Sequence, residues 1–315
     1  MPHAWKQTIQ INEKIATKLI QTQQHVQVDS IRLLDEGWDN VVYLVNQDLI
    51  FRFPRRELGL ACMENEIALL PFIADQVSFS LSSPSWIGLP STLYPYPFAG
   101  YSMIQGIPLC DAFSKPINDD NFAITLAGWL KELHAISVDS QHVAMVHGDF
   151  HGKLAVGTRT SHCKNNLERY QYYFEQAGFD KNALFNVLSV LSQFKFSSTK
   201  PSFLHGDLYS RHIIVNPSTL LPAGLIDWGD VHIGPPGIDL SSGMVFSERA
   251  LGVFLTAYGG VDDQMHRMMI YHSFCHGMSF LPYAFEQGKE ELKCWATIVL
   301  QRCVEEIEKL HGIGE

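Results

Sequence analysis

Apolar residues Ile9, Ile11, Ile15, Leu19 and Ile20 recur at mostly helical spacing, so residues 8–23 predict an amphipathic opening helix. The period then changes. Segments 28–35, 41–46 and 49–53 are short, rich in β-branched and aromatic residues, and separated by Gly37-Trp38-Asp39-Asn40 and Asn46-Gln47-Asp48. That pattern predicts three antiparallel strands. A helix is expected over 57–73, with Pro71 ending or kinking it. Residues 83–98 carry Pro84, Pro90, Pro95 and Pro97 and read as a connector, 100–104 resumes as a strand, and a change of lobe is expected near 105–110. From about 118 onward helical patterns dominate, over 119–137, 165–177, 181–195, 238–258, 262–285 and 289–310, broken by a strand-and-loop block at 202–230. The expected fold class is α+β: a small antiparallel-β lobe over 1–105, a larger and mostly helical lobe over 106–315, and a ligand cleft between them.

Charge narrows the partners. The 315-residue chain has 33 acidic against 23 basic residues, a net charge of −10, which removes the positive field that nucleic acid requires. The six cysteines form no CxxC pair or regular framework and read as reduced thiols of a cytoplasmic protein. No run approaches the ~18 apolar residues of a membrane span, and the polar start of the chain reads as carrying no export signal. Oligomeric state leaves no trace in the sequence.

Candidate chemistry concentrates at 203–240. His205-Gly206-Asp207, His212, Ile226-Asp227-Trp228-Gly229 and Asp239 each sit beside apolar runs, so buried strands present polar groups at loop edges. Burying such groups without partners or ions is costly. Asp207, His212 and Asp227 offer one carboxylate to face a substrate hydroxyl and two ligands for a divalent ion on nucleotide phosphates, a set suited to phosphoryl transfer. A second tripeptide, His147-Gly148-Asp149, lacks that context: Leu154 and Arg169 stand where His212 and Asp227 stand relative to Asp207. Asp149 therefore reads as a loop carboxylate or a helper at the cleft edge. In the N-terminal half the turn at Gly37 and Asn40 is placed to lie over phosphates with backbone N–H groups turned inward, or is a plain hairpin turn. His272 and His276 are spaced i, i+4 around Cys275; a core or interface role is preferred to a zinc site because no third ligand is evident nearby. The aromatics from Phe246 to Tyr283, including Phe254, Tyr258, Tyr271, Phe274 and Phe280, read chiefly as core, with an acceptor pocket as the alternative.

These motifs resemble the aminoglycoside phosphotransferase family, whose catalytic loop is similar to H-x-D-x-x-x-x-N and whose metal motif is similar to I-D-W-G. The N-terminal segments E-G-W-D-N, F-R-F-P-R-R, E-I-A-L-L-P and Y-P-Y-P-F-A-G-Y look like one branch of it, and the resemblance spans roughly residues 15–285. It implies a protein-kinase-like two-lobed fold, with Asp207 as catalytic base, Asp227 as Mg²⁺ ligand, and His205 and Asp239 as supports of the catalytic loop. His212 stands where the family usually has Asn, as in the macrolide and aminoglycoside 2″-phosphotransferases. By register, Arg52 becomes the phosphate-contacting base paired with helix residue Glu66, where Lys is commoner than Arg. Arg55 and Arg56 are alternatives, read as solvated surface charge. Residues Met103, Ile104 and Gln105 become the hinge against which the purine of ATP or GTP stacks.

The function this implies is transfer of a γ-phosphate to a hydroxyl of a small molecule, an aminoglycoside or macrolide being suggested first. Glu248, Asp262 and Asp263 are then candidates for meeting amines. The alternatives are a metabolite kinase unrelated to antibiotics and a catalytically weak, nucleotide-regulated binding protein.

Overall fold

The computed structural model describes residues 9–37, 39–146, 148–197 and 200–311. Trp38 and His147 therefore lie outside the described residues, as does the start of the chain before residue 9. In chain order the first elements are α1 (Glu13–Gln24), β1 (Ile31–Glu36), β2 (Asn40–Val45), β3 (Leu49–Pro54), α2 (Glu57–Ala74), β4 (Trp86–Gly88), β5 (Phe98–Ser102) and β6 (Ile107–Pro108). Helices α3 (Asp120–Ala135), α4 (Ser140–Met145), α5 (Val156–Arg169), α6 (Gln171–Gln176) and α7 (Lys181–Leu191) follow. Then come β7 (Ser202–Leu204), β8 (Ile213–Val215), β9 (Pro222–Leu225), β10 (His232–Gly234), α8 (Gly237–Leu240), α9 (Glu248–Tyr258), α10 (Asp263–Gln287) and α11 (Glu290–His311). The fold is α+β and kinase-like, with an antiparallel sheet toward the N-terminus and helices toward the C-terminus.

Strand alternation decides what faces the cleft. The first sheet runs β1-β2-β3-β5-β4, antiparallel throughout, with Arg52 opposite Val42 on one side and Ala99 on the other. Val41, Tyr43, Val45, Phe51 and Phe53 point to one face, where they bury against Ala16, Leu19 and Ile20 of α1. Arg52, one residue out of phase with Phe51 and Phe53, is carried to the opposite face, under α2. There Met63 of α2 packs on Ala99 and Tyr101 of β5. Helix α2 continues through Pro71 to Ala74 rather than ending there, its last turns held by burial of Leu69, Leu70 and Ile73.

The helical region is organised around α10, which packs along α11 and against α5 and α8. Two expected helices are divided differently. The pattern at 165–177 is really α5, beginning at Val156, and a separate α6 after Tyr170. The pattern at 238–258 is α8, a short 3₁₀ turn at Ser241–Val245, and α9, because the Ser247 side chain caps a new helix at Ala250. Two small antiparallel sheets, β6-β8-β9 and β10-β7, hold the strand-and-loop block at 202–234.

Gly106 marks the passage from the five-stranded sheet to β6. Its φ of +148° is glycine territory, and a Cβ there would meet the Val215 carbonyl oxygen at 2.4 Å. Gly106→Ala should therefore cost about 2–3 kcal/mol, read as a lowered denaturation midpoint at unchanged slope. A variant as stable as the parent would show that this crossing is not constrained.

Candidate active site

Sequence places Asp207 and Asp227 at the ends of buried strands, and the structure brings both into one cavity of about 720 Å³. Its lining includes Gly37, Asn40 and Arg52 from the sheet side and His212, His272 and His276 from the helical side. The loop that carries Asp207 is held through its backbone. Asp239, fully buried, accepts the backbone N–H of His205 at 2.7 Å and of Gly206 at 2.8 Å, while its Oδ2 also lies 3.2 Å from His134 Nε2. Burial alone raises the Asp239 carboxyl, but His134, the field of His205 and the Gly206 N–H together outweigh it and hold the group below the usual carboxylate range. His205 in turn reaches the Ile226 carbonyl through Nε2 at 2.9 Å, tying the loop to the strand that delivers Asp227. Gly206 has φ +85°, and a Cβ there would lie 2.2 Å from the Asp230 carbonyl oxygen, so both its backbone angle and its surroundings favour glycine.

Asp227 itself has φ +61°, a left-handed conformation uncommon outside glycine. It aims one carboxylate oxygen at Arg52 Nη2, 3.0 Å away, and the other at His212 Nε2, 3.4 Å away. Arg52 bonds Glu66 Oε1 through Nη1 at 2.7 Å, and Tyr101 donates its hydroxyl to the other Glu66 oxygen at 2.7 Å. Burial pushes the Glu66 carboxyl up against the pull of Arg52. Asp227 is burdened by burial yet ends below the usual carboxylate range, because Arg52 and then His212 oppose it. The guanidinium fork thus spans two carboxylates, a geometry that a lysine ammonium reproduces poorly. Arg52→Lys should lower stability by about 1–2 kcal/mol, measured as a shift in denaturation midpoint.

His212 is oriented for ligation. Its Nδ1 lies 2.7 Å from the Asp207 carbonyl, to which only a protonated Nδ1 can donate. Burial drives its pKa down to about 4, so the ring is neutral and Nε2 carries a lone pair facing an Asp227 oxygen. Two electron-rich donors turned toward each other fit a cation between them. One carboxylate and one imidazole are too few to enclose a cation, and no cluster of three or more His, Cys, Asp or Glu ligands occurs among the described residues. A divalent ion held here must share its coordination with phosphate oxygens and water, which is how Mg²⁺ is commonly held in phosphoryl-transfer sites.

Several residues gain roles that sequence reading missed. His276 Nε2 lies 3.3 Å from Asp207 Oδ1, so the helix residue assigned to core touches the candidate base. Cys275 instead neighbours Cys163 and Tyr271, and no zinc set forms with His272 and His276 among the described residues. Lys153 Nζ bonds Asp230 at 2.9 Å and lies 3.6 Å from Asp149, bringing the second H-G-D segment to the cleft edge. Burial and the negative charge of Asp230 push the Asp207 carboxyl well above its ordinary range, with Lys153 opposing. Arg55 is not solvated surface charge: it is buried, bonding Glu36 and the Gly37 carbonyl, while Arg56 pairs with Asp39. These two arginines pin the β1–β2 turn over α2.

Other expected site residues are engaged differently or stand elsewhere. The Gly37 N–H donates to the Asn40 carbonyl at 3.0 Å, so it is spent within the turn and not turned toward the cleft. Met103 gives its N–H to the Asp48 carbonyl at 2.7 Å, and Met103, Ile104 and Gln105 are outside the cavity lining. Glu248, Asp262 and Asp263 do not line the cavity either. Glu248 is exposed and pairs with Lys309 at 2.6 Å; Asp262 caps α10 through the Met265 N–H, and Asp263 opens the same helix. All six cysteines are free, and no helix among the described residues is long and apolar enough to cross a membrane.

Solved structures share this architecture. The chain is similar to the GDP complex of wild-type aminoglycoside 2'-phosphotransferase-IIIa, at 24% identity and TM-score 0.68, covering 94% of this chain and 99% of that one. Macrolide 2'-phosphotransferase MphH from Brachybacterium faecium is similar at 20% identity and TM-score 0.59, over 92% and 98% of the two chains. The streptomycin-ATP-APH(2")-IIa ternary complex is similar at 17% identity and TM-score 0.57, over 93% and 99%. The family model described as phosphotransferase enzyme family matches residues 30–271, well over half of the sequence, and this chain therefore belongs to the APH phosphotransferase enzyme family.

Proposed function

We propose that this phosphotransferase moves the γ-phosphate of ATP or GTP onto an alcohol of a small molecule, in a cleft between lobes that meet near residues 105 and 106. The observation that carries the reading is the convergence of Asp207, His212 and Asp227 beneath the Arg52–Glu66 pair. GDP, ATP and antibiotic acceptors accompany the structural relatives by name, which supports a nucleotide and a small hydroxylated acceptor without choosing either.

In this reading Arg52 meets nucleotide phosphates from the sheet side, and Asp227 with His212 holds Mg²⁺. Bound there, Mg²⁺ would supply charge neutralisation on the phosphates. Asp207 accepts a hydrogen bond from the acceptor hydroxyl, orients its oxygen in line with the phosphorus and takes the proton as the new P–O bond forms and the bond from the γ-phosphorus to the bridging oxygen breaks, that oxygen leaving with the NDP. His276 keeps one Asp207 oxygen engaged, fixing the carboxylate's orientation. His205 and Asp239 hold the loop that carries it. The free thiols fit a reducing cytoplasm.

The test is NDP formation from ATP and from GTP with Mg²⁺, with and without chelator, across hydroxylated acceptors. Acceptor-dependent turnover lost on chelation is expected. Nucleotide binding with no turnover on any acceptor would leave a nucleotide-regulated binding protein.

A further inference from the structure

The charges that line the cavity are not balanced evenly. Of its six carboxylates, five have an arginine or lysine within ion-pair distance: Asp35 with Arg211, Glu36 with Arg55, Asp39 with Arg56, Asp227 with Arg52, and Asp230 with Lys153. The sixth is Asp207, the candidate base, which faces His212 and His276. Two cations on the helical wall are different. Among the described residues, neither Arg159 nor Lys289 has a carboxylate within 4 Å. Arg159 Nη1 is held by the Lys153 carbonyl at 2.7 Å and by His272 Nδ1 at 2.9 Å, an arrangement that fixes the guanidinium without neutralising it. Lys289 Nζ lies 5.4 Å from the Tyr283 ring centroid and 3.5 Å from its hydroxyl.

Both cations are reached from Asp207 through His276. In one direction His276 lies against His272, ring centroids 5.4 Å apart, and His272 touches Arg159. In the other, His276 lies 4.6 Å from Phe280, Phe280 lies 6.4 Å from Tyr283, and Lys289 sits over Tyr283. The wall reached through His276 is thus aromatic and carries two cations that no carboxylate neutralises. Burial and the field of Arg159 keep His272 and His276 well below the ordinary histidine range, as a locally positive surface does.

We propose that the acceptor alcohol carries an anionic group, bound by Arg159 and Lys289 while its apolar body lies on Phe280 and Tyr283. This rests on the phosphotransferase reading and gives its acceptor a chemistry unlike that of a polyamine antibiotic, whose ammonium groups this wall repels.

Three probes of one shape test it: para-hydroxymethyl benzoate, benzyl alcohol and para-hydroxymethyl benzylamine, each titrated calorimetrically into the full-length protein saturated with a non-hydrolysable ATP or GTP analogue. The benzoate should bind at least about tenfold more tightly than the benzylamine, since one well-placed charge pair contributes on the order of 1.4 kcal/mol. That ratio should fall to about twofold in Arg159→Gln and in the surface variant Lys289→Gln, with analogue affinity unchanged. The inference is overturned if the amine binds as well as the carboxylate, if no benzoate binding is seen, or if the preference survives in both variants. It is equally overturned if the variants lose nucleotide affinity instead, which would assign the two cations to the triphosphate. Failure of the phosphotransferase reading shows separately: carboxylate preference intact, but no NDP formed with any acceptor.

Discussion

Asp207→Asn should reduce phosphoryl transfer by about 10²–10⁴-fold while changing nucleotide affinity by less than about twofold. Asparagine keeps the size of the side chain, and Asp207 is about one-third exposed in the cleft, so the fold loses little. What disappears is the acceptor for a proton. An amide oxygen can still orient a hydroxyl but cannot take its hydrogen as the nucleophile commits, so the loss belongs to the chemical step. The proposed nucleotide contacts reside elsewhere, in the Arg52–Glu66–Asp227 array, with which Asp207 forms no ion pair. Rapid-quench single turnover beside equilibrium titration with a nucleotide analogue separates the two quantities. Equal losses in rate and nucleotide affinity would mean that Asp207 holds the metal–nucleotide complex and another group handles the proton. Asp149→Asn is the internal control, because Asp149 is not itself in the cavity lining, holding Lys153 and the His151 N–H from outside it, and the substitution should lower the rate far less.

The parts of this site legible in the sequence are those fixed by local period. Alternation in 49–53 puts Phe51 and Phe53 in one core and Arg52 on the other face, so its approach to a helix carboxylate follows from strand geometry. The apolar runs ending in Asp207 and Asp227 likewise mark strand ends that open on a cleft. The contacts that escaped join segments far apart in the chain. Nothing local to α10 says that His276 meets Asp207, and nothing local to Lys153 says that it meets Asp230. Arg55 read as surface charge because its burial depends on the β1–β2 turn folding back over it. Glu248 and Asp262, acidic candidates for amine binding, have local partners and stand outside the cavity lining. Glu248 opens α9 and Asp262 caps α10, positions where acids are favoured by unpaired N–H groups and the helix dipole. Their charge answers a local need of the helices. The contact that Asp207 does make from α10 is with His276, which packs on Phe280.

Asp239→Asn should cost about 3–5 kcal/mol of stability, as expected when one member of a buried charged array is removed. Both Asp239 oxygens accept backbone N–H groups in the native loop, and His134 Nε2 approaches one of them as well. An asparagine can present only one oxygen, so its NH₂ must face a backbone donor or turn away and leave that donor unpaired in the core. The pH dependence has a definite sign. Because the folded-state carboxyl sits below its ordinary value of 3.8, its contribution is complete above that value and fades as pH falls through the lower folded-state value. The stability gap between parent and Asp239→Asn, measured by denaturant unfolding, should therefore be widest from neutral pH down to about 5 and narrow steadily in more acidic buffer, below about 4. A gap that stays constant through this range would show that the asparagine acts by packing and not by charge. Catalysis adds a second readout: the loop from His205 to Asp207 loses its anchor, so turnover should fall even under conditions where the variant remains folded. A folded Asp239→Asn enzyme with parental turnover would mean that the tie through His205 to the Ile226 carbonyl is enough to hold Asp207 in place.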